Sequence, residues 1–464
     1  MSLTRFLGAA VGCLYRERRL SPERMAEVQR ARLAALLAHA KATTPLYAER
    51  IDDPSPDHLD RIEPITKPEL MARFDDSIAN RALTLEQARV FTEDPANVGR
   101  LYDGRFVVAT TSGTTGRVGY FVTDRDAWAR LNGGLLARIL RHRLVPHEII
   151  RFCWGRRYRM AMTIATGGHY ITALVSTFQP LLARAFMKMS AFSVTSPLEE
   201  TVARLNRYRP HYLHSYPTYL EVLAGAQLAG DLAIDPEFVS LGSEPVSQLA
   251  RETIRRAFPN AEVSETYGAT ECLTIGNQCK LGNLHVNEDL CVLEPVDADG
   301  RPVPVGTPSA RVYLTNLENY GQPLIRYVLE DSVTVLEGQC GCGAAFPMIR
   351  VEGRSDDTFY LEDDAGAFRA FPPVPFEVLF LDLRGLLQYQ LVHEAQNALS
   401  IRYVADAGAD ASALTAELER RFSTYFADNH VGRLKLDVAP VDSLERQAQG
   451  HKLRQIYSKV PRPG

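Results

Sequence analysis

Between Pro22 and Arg50 apolar residues recur near helical spacing, at Met25, Val28, Leu33, Leu36, Leu37 and Ala40, which predicts an amphipathic helix. Ser21 supplies its N-cap, with proline at the first helical position. A Pro- and Asp-rich loop from Asp52 to Asp60 precedes Thr66-Lys67-Pro68-Glu69, the cap and first turn of another helix. From residue 105 short apolar runs alternate with helical stretches. Residues 105–109, 119–123, 149–154 and 170–175 read as strands and 126–142 as a helix. Strands at 212–215, 238–241 and 262–265, separated by helices at 217–229 and 247–257, read as consecutive crossover units of a parallel sheet.

After Val292 the pattern turns to strands and turns, for example 311–316 and 332–336, which predicts an antiparallel or barrel-like subdomain. A compositional break at Gly353-Arg354-Ser355-Asp356-Asp357 marks a hinge. Beyond it, strands at 389–393, 398–404 and 434–438 accompany an amphipathic helix at 412–425. The expected fold is α/β: a large N-terminal domain of α/β sheets, residues 1–353, with a β-rich subdomain at about 276–350, plus a small mobile C-terminal α+β domain, residues 354–464.

The 464 residues are 45% hydrophobic and 23% charged, which excludes a fibrous or disordered chain. With 52 Lys and Arg against 56 Asp and Glu there is no basic surplus to neutralise a nucleic-acid backbone, so no nucleic-acid partner is expected. The apolar run Phe6 to Leu14 falls far short of the ~20 residues that span a bilayer and has no cleavage site, so a cytoplasmic protein without membrane attachment is expected. Monomer and homodimer both stay open. Seven cysteines, an odd number, do not make a disulfide framework.

The densest local signal is Thr110-Thr111-Ser112-Gly113-Thr114-Thr115-Gly116-Arg117, between two expected strands. Hydroxyls, glycines and a guanidinium in a turn suit a phosphate chain, although the spacing is neither a Walker loop nor a dinucleotide fingerprint. It is followed in order by Gly242-Ser243-Glu244-Pro245, Ser264-Glu265-Thr266-Tyr267-Gly268-Ala269-Thr270-Glu271, Arg326 to Asp331, and Gly353 to Asp357. This series resembles the adenylate-forming superfamily, and within it the phenylacetate-CoA ligase-like branch. Thr44-Pro45-Leu46-Tyr47 and Pro64-Ile65-Thr66-Lys67 extend the resemblance to the N-terminus.

The resemblance implies an ATP site. Thr111, Ser112, Gly113, Thr114, Thr115 and Gly116 would form the phosphate loop. Thr270 would contact the α-phosphate and Glu271 would hold Mg²⁺. Ser243, Glu244, Pro245, Glu265, Thr266, Tyr267, Gly268 and Ala269 would make the adenine slot, with Tyr267 offering a stacking face. Asp331 would accept from the ribose hydroxyls, and Arg354 completes the nucleotide set. Gln449-Gly450-His451-Lys452 resembles the family's lysine loop with His451 interposed, which makes Lys452 the catalytic lysine and Asp356 the hinge residue of a rotating small domain.

Cys279, His285, Cys340 and Cys342 are one imidazole and three thiols, a ligand set for structural Zn²⁺, and some members of the branch carry a zinc clip with similar ligand order; buried free thiols are the alternative. Cys13, Cys153, Cys272 and Cys291 read as ordinary thiols. Trp154, His169, Tyr170, Tyr216 and Gly242 are the expected acyl pocket, whose aromatic content suits an aromatic acid. The expected activity is ATP-dependent activation of an aromatic carboxylic acid followed by transfer to coenzyme A. Transfer to a carrier protein, an amine or another small nucleophile is the alternative, and a non-catalytic adenylate-binding protein a third.

Overall fold

Proline and glycine set the N-terminal architecture. In a computed structural model of the chain, which describes residues 2–111, 118–139, 158–178, 187–354, 357–371, 373–380, 383–446 and 453–461, the helix expected to reach Arg50 is two, Pro22–Thr43 and Pro45–Arg50. Thr44, in extended backbone before Pro45, ends the first by donating its hydroxyl and its N–H to the Ala40 carbonyl. An additional helix, Leu3–Arg19, precedes them, and the helix Arg125–Ile139 packs closely against it. Gly133 permits that approach, because a Cβ there would lie 2.2 Å from the Phe6 carbonyl oxygen.

The strands are β1 Phe106–Thr110, β2 Tyr120–Asp124, β3 Tyr158–Ile164, β4 Met187–Ser193, β5 Tyr212–Ser215, β6 Phe238–Gly242, β7 Glu262–Tyr267, β8 Gly276–Gln278, β9 Leu284–Val286, β10 Cys291–Val296, β11 Arg311–Asn316, β12 Tyr327–Leu329, β13 Asp331–Val335 and β14 Met348–Arg354. Nine of them form one sheet in the order β13-β14-β9-β8-β7-β6-β5-β3-β4. The run from β4 to β7 is parallel, and from β7 to β13 the pairing is antiparallel. Half of the expected β-rich subdomain therefore continues the central sheet, while β10-β11-β12 form a separate antiparallel one. β3 and β4 were not expected, and residues 149–154 lie outside the described residues. The strand expected at 170–175 is instead the helix Ile171–Thr177, entered through a turn with Gly167 at φ +85°.

After β14 come β15 Phe359–Glu362, β16 Phe368–Phe371, β17 Leu386–Ala395, β18 Ala398–Ala405, β19 Lys435–Pro440 and β20 Ile456–Ser458. The order β19-β18-β17-β20 makes a small mixed sheet, and the helix Ala411–Asp428 buries Leu414, Leu418, Phe422 and Phe426 at i, i+4, i+8 and i+12, the spacing of one helical face. None of the described helices is long and apolar enough to cross a membrane.

The helices over the sheet are tied down by charge. The Arg138 guanidinium, with no solvent exposure, donates to Glu17 at 2.5 Å, to Asp289 at 2.7 Å and to the Cys13 carbonyl at 3.1 Å. Arg16 reaches the second oxygen of Asp289 at 2.7 Å. Between the large domain and the C-terminal sheet, Gln388 donates to the Thr218 carbonyl. Burial pushes the nearby Glu221 carboxyl up to about 8, helped by Glu244 and opposed by Gln388 and Arg446.

Arg138→Met should remove a buried cation from Glu17 and leave Asp289 with Arg16 alone, costing about 3–5 kcal/mol of stability in urea unfolding, with Glu17→Gln on top recovering part of it. The raised Glu221 value means its stabilising contribution is complete below pH ~4.5 and is lost as pH rises to about 8. Unfolding followed from pH 5 to 8 should therefore fall less steeply in Glu221→Gln than in the parent, by up to about 1.4 kcal/mol per pH unit.

Candidate functional site

The carboxyl ends of β5, β6 and β7 lie side by side, the edge at which parallel α/β sheets bind ligands. β6 runs out at Gly242 into Ser243, whose φ of +71° is unusual for a residue with a side chain and turns the chain sharply toward the cap Ser247. β7 runs out at Tyr267. Beyond it, reciprocal backbone bonds between Ala269 and Cys272 (2.9 and 3.2 Å) make a tight turn with Thr270 and Glu271 at its tip. Asn316 holds that tip through the Glu271 carbonyl at 2.9 Å. Gly268 is required here: a Cβ would lie 2.4 Å from the Leu273 carbonyl oxygen.

Around this edge the polar groups meet. The Tyr267 hydroxyl donates to Asp331 at 2.7 Å, and Asp331 stands in register with Arg354 across β13 and β14. Burial raises the Glu271 carboxyl, opposed by hydrogen bonding from Tyr327 and by the charge of Lys67. Lys67 donates to the Thr111 hydroxyl at 2.9 Å, at the mouth of the expected phosphate loop. Thr266 takes a bond from Asn277, Glu265 is gripped at both oxygens by Arg251 (2.5 and 2.9 Å), and Pro245 is exposed. Ser112, Gly113, Thr114, Thr115, Gly116, Trp154, Asp356 and Lys452 lie outside the described residues.

Glu244 joins the two domains. One carboxylate oxygen accepts the N–H and hydroxyl of Thr218 at 3.2 and 2.7 Å, and the other accepts the N–H of Leu453 at 3.3 Å. The backbone immediately after Lys452 is thereby held at the β6 end. Arg454, the next residue, pairs with Asp357 beside the expected hinge.

An apolar cavity opens from this edge, and Gly242, Ser243, Thr266, Gly268 and Ala269 line its mouth. Of the other expected pocket residues in the described part, none lines it. His169 is buried with Nδ1 on the Val108 carbonyl and its ring against Phe91. Tyr170 precedes the helix Ile171–Thr177, and the buried Tyr216 hydroxyl meets the Ala165 N–H and the Thr172 hydroxyl. The histidine that does line the cavity is His214, whose Nδ1 lies 3.3 Å from the Ser240 hydroxyl. Burial holds its imidazole down at about 4, so the ring is neutral at neutral pH. Sequence reasoning missed His214 and Lys67. The second had a signal, since it lies in the N-terminal signature.

Around the β8–β9 hairpin and the loop before β14, the donor atoms of Cys279, His285, Cys340 and Cys342 all lie within 4.8 Å of one another. Cys279 and Cys340 sulfurs are 3.7 Å apart, and Cys342 Sγ is 3.5 Å from His285 Nε2. Tetrahedral Zn²⁺ ligands stand roughly 3.8 Å apart for two sulfurs and 3.6 Å for nitrogen and sulfur. His285 Nδ1 is engaged by the Phe346 carbonyl at 2.9 Å, which leaves Nε2 turned to the thiols. Cys13, Cys272 and Cys291 are buried and free.

The fold is similar to that of 2-hydroxyisobutyryl-CoA ligase in the postadenylation state in complex with 2-HIB-AMP, at a TM-score of 0.71 and 19% identity over 96% of this chain and 91% of that one. The same ligase in complex with 2-HIB-AMP and CoA in the thioesterification state aligns at 0.57 with 19% identity, again over 96% and 91%. An anthranilate CoA ligase in complex with anthranoyl-AMP aligns at 0.52 and 14% identity, over 74% of this chain and 64% of that one. No curated protein matches the sequence significantly. Residues 5–323, more than half of the chain, match the AMP-binding enzyme family, and the chain belongs to that family within the adenylate-forming superfamily.

Proposed function

We propose that the protein activates a carboxylic acid with ATP and Mg²⁺, forming an acyl-adenylate and pyrophosphate, and then passes the acyl group to the thiol of coenzyme A. The supporting observation is the hydrogen bond from Leu453 to Glu244, which sets the chain next to Lys452 at the edge where Thr270, Glu271 and the Tyr267–Asp331 pair gather. In adenylation a carboxylate attacks an α-phosphorus that carries negative charge, so the catalyst's task is to hold both in line and to neutralise charge. Lys452 would bridge the two anions as a point charge. Asp331, oriented by Tyr267, would accept from the ribose, and Lys67 would add charge at the phosphate loop. Glu271 offers the single carboxylate that Mg²⁺ takes alongside phosphate oxygens, and the ion when bound would supply charge neutralisation.

The ligase neighbours lend support to coenzyme A as acceptor, and rotation of the small domain about Asp356 would release Glu244 from the lysine loop between the half-reactions. The acid carries an apolar body, matching the cavity at Gly242. The four-ligand cluster would hold one structural Zn²⁺ that joins the β8–β9 hairpin to the loop before β14.

Lys452→Ala should lower ATP–pyrophosphate exchange at least a hundredfold with unchanged circular dichroism, and Glu244→Ala about tenfold through loss of the lysine-loop anchor. Undiminished exchange in Lys452→Ala would rule out the assignment; acyl release that ignores CoA would redirect the second step to another acceptor. Protein purified without chelator should contain about one zinc per chain, and Cys340→Ser with Cys342→Ser should remove it and lower the melting temperature. A metal-free parent of full stability would contradict the zinc assignment.

A further inference from the structure

The register of the parallel sheet lays a gradient of chemistry across one of its faces. Residues two apart on a strand share a face, and paired residues on neighbouring strands stand side by side. One row reads Met189, Met160, Tyr212 from β4 through β3 to β5. The next continues Met162, His214, Ser240, and the last pairs Gly242 with Thr266. All of these residues line the same cavity. The β6–β7 end, where Ser243 and Gly268 also lie, is polar and belongs to the adenylate edge. The β3–β4 end is thioether: Met160, Met162, Met187 and Met189, half of the protein's eight methionines, line it.

The opposite wall is mostly aliphatic, with two phenylalanines, Phe6 and Phe178. Leu135, Leu136 and Ile139 come from the helix Arg125–Ile139, Ile171 and Val175 from the helix Ile171–Thr177, and Phe6 from the N-terminal helix. Methionine is unbranched and flexible, so four of them make a wall that adapts to a bending chain. From β6 to β4 are three strand spacings, about 14 Å, roughly the length of an extended ten- to twelve-carbon chain.

Resting on the adenylation reading above, we infer that the acid is a straight aliphatic one of medium length, lying across the strands with its carboxyl at Gly242 and Thr266 and its tail among the methionines of β3 and β4. The test is pyrophosphate release with saturated acids from four to sixteen carbons beside benzoate and phenylacetate, paired with direct binding of the same acids by calorimetry. Each added methylene should raise kcat/KM about three- to fourfold up to ten or twelve carbons. Met189→Trp should move that optimum to shorter chains. Benzoate or phenylacetate outpacing every chain, or a flat response to length, would overturn the inference. If no acid supports pyrophosphate release yet binding strengthens with chain length and Met189→Trp shortens the preferred chain, the adenylation reading fails and the acyl assignment stands. If none binds, the acyl assignment fails too.

Discussion

Arg138 carries a full positive charge with no solvent exposure, and the arrangement over the sheet hangs on how that charge is met. Its partners come from two stretches distant from its own helix: Glu17 and the Cys13 carbonyl on the N-terminal helix, and Asp289 after β9. A buried charge of this kind is tolerable only when its partners are fixed, so the three stretches hold one another in register. The helix bearing Arg138 also bears Leu135, Leu136 and Ile139, and the N-terminal helix bears Phe6, so the same charge that pins the helices sets the roof of the cavity. The guanidinium stacks at 4.6 Å on Phe346, whose carbonyl orients His285. Roof and cysteine cluster thus share one residue between them.

The edge at the ends of β6 and β7 is built with the opposite economy. Its side chains are few and each is oriented by a neighbour of ordinary kind: Asp331 by the Tyr267 hydroxyl, Thr111 by Lys67, Glu244 by Thr218. The backbone does the shaping, through the left-handed Ser243 and the crowded Gly268. A side chain at a positive φ such as that of Ser243 costs about 1–3 kcal/mol and persists where surrounding structure dictates it.

Those backbone demands explain what could be read in the residues alone. The motifs after β6 and β7 are legible because a sharp exit from a parallel strand needs small and hydroxyl residues at fixed offsets, and the strand Tyr212–Ser215 and helix Pro217–Ala229 agree with expectation to the residue. The cavity was not legible. Tyr216 shares parity with Tyr212 and His214, but it lies past the end of β5, where the chain turns into the helix at Pro217 and its hydroxyl is taken up by the Ala165 N–H and the Thr172 hydroxyl. Ile171, Thr172 and Val175 are β-branched and suggested a strand, whereas a five-residue apolar run fits either element until its burial is known. β3 and β4, rich in methionine, have no strong β signature, so one whole wall of the cavity had the weakest local signal.

The ion pair between Arg16 and Asp289 spans 273 positions of sequence. At a synthesis rate of ~5–20 residues per second, the N-terminal helix waits on the order of tens of seconds for its anion to appear. Until Asp289 emerges the charge network over the sheet is incomplete, and Phe6, on the same helix as Glu17, has only part of its cavity to meet. Completion of the charge network and closure of the cavity by Phe6 are therefore tied to one and the same helix.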